Sequence, residues 1–316
     1  MRRISWLPVV AIVAGLCVGC ANPSRESEAD ELRTEVAGLP GVTAAQLDYG
    51  EPVPLQSGSV VMKVEMSGQA TADQVVTVVE TAYRAFSSTH QDEEADLSVR
   101  AGPTTVALRS FEPEASPAAV SDAVRTGLLA APASGSVAID LTTDDVPKGN
   151  HVAGTYLVAL PDGSTFADIP ELLDSLAAQQ PDGGQIGWGG TAADGTLLSF
   201  DHGFPPAQLV GRWESMQRPD APVAMRALED GALFVEARPT ARYDVTDPAD
   251  RRALDRITHP QVRALGDGEW VYTLIGPRGG YLAEIDRFIC APASEGPYDD
   301  QLEAWVTARL GPCQAS

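Results

Sequence analysis

The chain has 316 residues, with 22 Lys and Arg against 44 Asp and Glu, and a formal net charge of −22. A surface this acidic repels phosphate backbones and anionic headgroups, which argues against nucleic acid as a partner. The length exceeds what one compact core usually holds, so two or three domains are expected.

The N-terminus carries the first organised signal. Met1-Arg2-Arg3 is basic, Trp6 to Val18 is apolar, and Gly19-Cys20 is followed at once by polar Asn22, Ser24, Arg25 and Glu26. A basic, apolar, small-residue order is that of a secretory leader. The apolar run is shorter than the about 20 residues a helix needs to cross a bilayer. Gly19 directly before Cys20 makes the segment resemble a bacterial lipoprotein signal, with Cys17 where that pattern usually has Leu. The resemblance implies that residues 1–19 are a signal peptide, that Cys20 becomes the first residue and carries palmitate, and that the bilayer is a partner through it. It further implies that the protein sits on the extracytoplasmic face of the cell membrane. Through residues 1–20 alone the chain is similar to actinobacterial-type secreted lipoproteins.

Residues 20–28 are small and polar and read as a tether that keeps the folded part near the membrane. With Cys17 in the leader and Cys20 lipidated, Cys290 and Cys313 remain as an even pair outside the reducing cytosol, and a disulfide is expected. Closing a loop of that length contributes about 3 kcal/mol by the chain-entropy estimate. The separation fits neither CxxC redox chemistry nor a zinc ligand pair.

From Ala29 the pattern begins to repeat. Ala29, Leu32, Val36 and Leu39 have helical spacing and stop at Pro40-Gly41, and strands over 42–49 and 60–66 follow. Thr71 and Gln74 form a capping box before the stripe Val75, Val76, Val79, Ala82, Tyr83 and Phe86, which the acidic run 92–94 closes. A hairpin over 97–111 turns at Gly102-Pro103. The same order of helix and two strands returns at Ser116-Pro117, at Thr165, at Pro205-Pro206 and at Asp247-Pro248, the last of these stopped by Pro260. Asp194-Gly195 and Asp230-Gly231 mark hairpin turns. A terminal helix carries Leu302, Trp305, Val306 and Leu310.

Phe111, Phe200 and Phe288 close successive rounds at near-equal spacing. This predicts three units, 29–111, 112–200 and 201–316, the last with a helix pinned by Cys290–Cys313 as a cap on the array. Cut at its strands, one period is βαββαβ, the order of ferredoxin-like folds. The expected class is therefore α+β, as tandem ferredoxin-like units of antiparallel sheet with helices on one face. The turn at Leu39-Pro40-Gly41-Val42 also resembles that of small ferredoxin-like ligand and metal binding domains. The CxxC of those domains is absent, so no metal role transfers.

GxSxG, SxxK, HExxH and Walker A motifs are all missing, and the glycines of 183–190 lack GxGxxG spacing. Neither a cofactor nor a metal is called for, and no catalytic residue is assigned. His90, His151, His202 and His259 stand singly and read as surface or capping residues. Asp144-Asp145 and Asp299-Asp300 read as turn and helix-start acids. Trp213 and Trp305 fall on helix stripes, whereas Trp188 and Trp270 lie on strands and are the candidates for a binding surface. The expected function is a non-catalytic binding or interaction module for an envelope protein or peptide. The alternatives are a small-molecule or metal-ion capture protein for uptake and, behind it, a hydrolase using scattered acids such as Asp201 or Asp286.

Overall fold

A computed structural model of the chain describes residues 23–53, 56–111, 113, 115–130, 135–143, 152–180, 184–290 and 296–313. Six rounds of helix and antiparallel strand pair follow one another, then a last helix. They are α1 (Glu26–Ala37), β1 (Val42–Gly50), β2 (Ser59–Met66); α2 (Ala72–Phe86), β3 (Glu94–Ala101), β4 (Thr104–Ser110); α3 (Pro117–Leu128), β5 (Ser136–Thr142), β6 (Ala153–Ala159). The second half holds α4 (Asp168–Gln179), β7 (Gly187–Thr191), β8 (Leu197–Phe200); α5 (Ala207–Met216), β9 (Val223–Ala227), β10 (Leu233–Ala237); α6 (Pro248–Leu265), β11 (Trp270–Ile275), β12 (Tyr281–Asp286); and α7 (Asp299–Leu310).

Local chemistry accounts for where the elements start. Thr71 and Gln74 cap α2 reciprocally, with Gln74 N donating to Thr71 Oγ1 at 3.3 Å and Thr71 N to Gln74 Oε1 at 2.9 Å. Ser116 caps α3 ahead of Pro117, and Asp247 caps α6 ahead of Pro248. Asp194 and Asp230 accept the backbone N–H two residues on, and the glycines after them take positive φ, which makes both Asp-Gly pairs turns. The helix over 248–265 runs through Pro260 rather than stopping there.

The strands form one 12-stranded sheet in sequence order, β1 to β12. Each strand pair after a helix is antiparallel, and each crossover joins parallel neighbours, as in Val60↔Ala95 and Leu108↔Leu141. The mixed α/β architecture holds, but the pairing differs from the antiparallel ferredoxin-like sheets expected. In a split βαβ arrangement a third strand separates the two parallel ones, whereas here β2 pairs directly with β3. Element order alone is compatible with both, because pairing is decided by which neighbour covers the apolar face. The sheet passes without a break from β4 to β5 and from β8 to β9.

Period-two alternation places Val60, Met62 and Val64 of β2 beside Ala95, Leu97 and Val99 of β3 on a single buried face, and the register carries that face to β12. The helices lie on it. Tyr83 of α2 donates to Ala115 O, Tyr156 of β6 to Ala123 O in α3, and Tyr272 of β11 to Gln261 in α6. One apolar cluster runs from Leu32 to Val306. Both sheet edges are managed. Helix α1 packs on β1, and at the other end Asp299 accepts the β12 N–H of Glu284 at 2.7 Å. Cys290 and Cys313 are disulfide-bonded, with Cα atoms 5.7 Å apart, and tie the end of α7 to the strand before it.

Candidate functional site

Helices cover one face of the sheet, so the other face decides what the molecule can touch. On β4, Val106 and Leu108 point into the core and Thr105, Ala107 and Arg109 point away; on β9, Met225 points in and Ala224 and Arg226 point away. Between them the outward residues include Gly187, Gly189, Thr155 and Ser199 alongside Leu157 and Leu197. Gly187 and Gly189 sit where a side chain has no room: a Cβ at Gly187 would lie 2.0 Å from Phe200 O, and one at Gly189 2.6 Å from the Ser199 Cβ. Gly154, at φ +147, would place a Cβ 2.0 Å from Asp140 O. Glycine here permits backbone approach that any other residue blocks.

Arg109 and Arg226 are five strands apart, about 24 Å across a flat sheet. Both nevertheless line one depression of ≈ 300 Å³, together with Asp140, Thr142, Thr155, Leu157 and Ser199. The open face is therefore concave over β4 to β9. A second depression, of ≈ 240 Å³, lies over β8 to β11 and is bordered by Leu197, Phe234 and Val271. Leu197 and Arg226 line both. Phe234 stays 36 % exposed, held edge-on to Phe288 at 5.9 Å.

Among the described residues neither Arg109 nor Arg226 has an acid partner, which is also true of Arg100, Arg212, Arg242 and others; what sets these two apart is the hollow they share. Glu236, beside Arg226, is taken up by Arg238. Two uncommitted guanidiniums facing a shared hollow can hold an anion through paired N–H donors.

The expected site residues lie elsewhere. Trp188 and Trp270 are both 0 % exposed and face the helices, so they are core and not a binding surface. Trp188 stacks on Phe204 at 5.1 Å and tilts against Tyr156 at 4.6 Å. The indole of Trp270 donates to Gly266 O. Strand position left their direction open, and the register settles it inward. His90 is not a surface residue: it is 1 % exposed and its Nδ1 meets Glu93 Oε2, while Tyr49 donates to Glu93 Oε1 at 2.8 Å. Arg25 joins this cluster, its backbone N–H donating to Tyr49 Oη at 2.7 Å, and so fixes the start of the fold. Burial raises the Tyr49 hydroxyl above its ordinary range.

His202 lies 3.7 Å from Glu229 at the surface, and His151, Asp144, Asp145 and Cys20 lie outside the described residues. Asp286 accepts Phe288 N and Ile289 N as a turn acid. Asp201, which follows β8, is pushed above the usual carboxylate range by burial. The two acids are at strands four apart, about 19 Å in a sheet, and do not form the close carboxylate pair that glycoside-type hydrolysis uses. Among the described residues no group of three His, Cys, Asp or Glu side chains is placed to hold a metal ion, and no helix is long and apolar enough to cross a membrane.

No protein-family model matches the chain, and neither does a curated protein or a solved structure.

Proposed function

We propose that this chain is a lipid-anchored, non-catalytic binding protein of the bacterial envelope, tethered through Cys20 on the extracytoplasmic face and presenting the helix-free face of its sheet to a ligand or partner. The observation that carries the reading is the concave face itself, with two adjoining depressions, Arg109 and Arg226 in the larger and Arg226 shared by both. The anchor rests on the leader pattern and Cys20. The order of elements and the spacing of Phe111, Phe200 and Phe288 support three tandem units behind that face.

Two measurements test it. Mass analysis of the N-terminal peptide is expected to find Cys20 acylated, and Cys20→Ser to shift the protein from the membrane fraction to the soluble one; an unmodified Cys20 sinks the anchor. A photo-crosslinking side chain at Ala138, exposed on the open face, is expected to capture a component that one at Arg84, on the outside of α2, does not. The capture at Ala138 is expected to fall when Arg226 is changed to Glu. Equal capture from both faces removes the binding role of the sheet.

A further inference from the structure

The two depressions touch each other, with Leu197 and Arg226 common to both. The larger is lined by Arg109, Asp140 and Arg226 with Thr142, Thr155 and Ser199, and by Leu141, Leu157 and Leu197 besides. The smaller is bordered by Leu197, Phe234 and Val271, with Arg226, Thr273 and the Arg238-paired Glu236 also on its wall. It spans β8 to β11, three strand spacings or about 14 Å. Arg109 and Arg226 both line the larger hollow, and neither has an acid partner among the described residues. A guanidinium offers a planar fork that matches a carboxylate. Asp140 lines the same hollow, so its local balance is two positive groups against one negative. That balance suits a singly charged carboxylate better than a doubly charged phosphate.

We propose that the open face binds a long-chain carboxylate, its head between Arg109 and Arg226 and its hydrocarbon chain over Leu197, Phe234 and Val271. The inference rests on the reading of this face as the binding surface and names what that surface takes. Arg226, common to both hollows, is the pivot where charged head and apolar chain meet. The chain gains by leaving water, and the head keeps the charge-assisted hydrogen bonds that water would otherwise supply.

Equilibrium dialysis of the purified full chain against radiolabelled dodecanoate, acetate, dodecylammonium and inorganic phosphate tests this. One-site binding of dodecanoate is expected, with the other three at least about tenfold weaker, since acetate and phosphate lack the chain and dodecylammonium carries the opposite charge. Arg109→Gln and Arg226→Gln, both at exposed positions, are each expected to weaken dodecanoate about tenfold or more with the melting midpoint unchanged. Phe234→Ser is expected to weaken dodecanoate without changing acetate retention, which separates the apolar hollow from the arginines. Absence of one-site dodecanoate binding overturns the proposal, as does equal retention of dodecylammonium, tighter retention of phosphate, or an Arg109→Gln/Arg226→Gln double variant that binds as the parent does. If dodecanoate fails while the crosslinker at Ala138 still captures its component, the face remains a binding surface for something else. If both fail, the reading of the face falls with the ligand.

Discussion

His259 shows how one side chain is set by what faces it. Its ring stacks on Trp305 of α7 at 4.0 Å with an interplanar angle of 5°, and its Nε2 lies 3.5 Å from Asp255 Oδ1. That oxygen is already engaged, by Tyr298 Oη at 2.6 Å and Gln301 Nε2 at 2.8 Å, and His259 Nε2 makes no hydrogen bond of its own. Proximity to Asp255 argues for a protonated ring. Burial argues the other way and prevails, helped by Arg263, so the ring is held below its ordinary pKa of 6.5. In the unfolded chain His259 takes its proton near pH 6.5, while in the fold it takes it only at lower pH. Between those two points the unfolded state binds more protons, so stability is full above about pH 6.5 and falls as the pH drops through that window. Below the folded pKa the slope ends. His259→Phe keeps a ring on Trp305 and removes the titration. Thermal unfolding of parent and variant between pH 7.5 and 4.5 is expected to show a smaller drop around pH 6 in the variant; parallel curves mean that His259 does not titrate differently in the fold.

Among the elements, α6 departs most from what its sequence suggests. Pro260 has no N–H for the carbonyl four residues back, and in a helix interior it costs about 3 kcal/mol. Both Arg256 and Pro260 face solvent, where water can take the freed carbonyl, and the opposite stripe is well held. Gln261 has no exposure: its Nε2 donates to Met216 O and Ala221 O at 3.1 and 3.3 Å, and its Oε1 accepts from Tyr272 at 2.7 Å. Val262 and Leu265 are buried beyond it. Pro260→Ala restores the backbone bond and loses only the entropy advantage of proline in the unfolded chain, about 1 kcal/mol. A gain of about 2 kcal/mol in denaturant titration is expected, and a loss shows that the proline itself is needed for packing. Pro260 also marks where sequence stops being informative. Capping boxes, Asp-Gly turns and period-two strands are local and were legible, as at Thr71, Asp194 and Val60 to Met66. The run of α6 past its proline depends on residues such as Met216 and Tyr272 that are distant in the chain. The site divides in the same way. Arg109 between Leu108 and Ser110, and Arg226 between Met225 and Ala227, are readable as outward positions on their strands. That they share a hollow depends on five strand registers and on the close approaches at Gly154, Gly187 and Gly189, and no local pattern carries that.

At the scale of the molecule, strand direction explains why the repeat is long. Successive crossovers start from strands running in opposite directions, while the helices stay on one face and the sheet grows one way. No rotation carries one helix-and-hairpin round onto the next: the turn that reverses its strands also reverses the order of the sheet or moves the helix to the other side. Two rounds together restore every direction, so the smallest repeat that can recur is a double round, and twelve strands hold three of them. The spacing of Phe111, Phe200 and Phe288 has that period. The same geometry makes successive crossovers alternate in hand, against the strong preference for right-handed connections, so packing of the helices on the shared face has to outweigh that preference. Each strand hydrogen-bonds only to its neighbours in the sheet, and in such an array stability is close to a sum of local and nearest-neighbour contributions. The β12 end has one neighbour fewer, and the Cys290–Cys313 bond holds α7 there with Arg287 donating to Gly311 O at 3.0 Å. The bridge closes a loop of 23 residues, worth about 3 kcal/mol by the chain-entropy estimate. A Cys290→Ser/Cys313→Ser variant is expected to lose amide-exchange protection by about that amount in β11, β12 and α7, with β3 to β6 unchanged because no contact of theirs reaches the bridge. Uniform loss along the chain instead means that the twelve strands open as one cooperative unit.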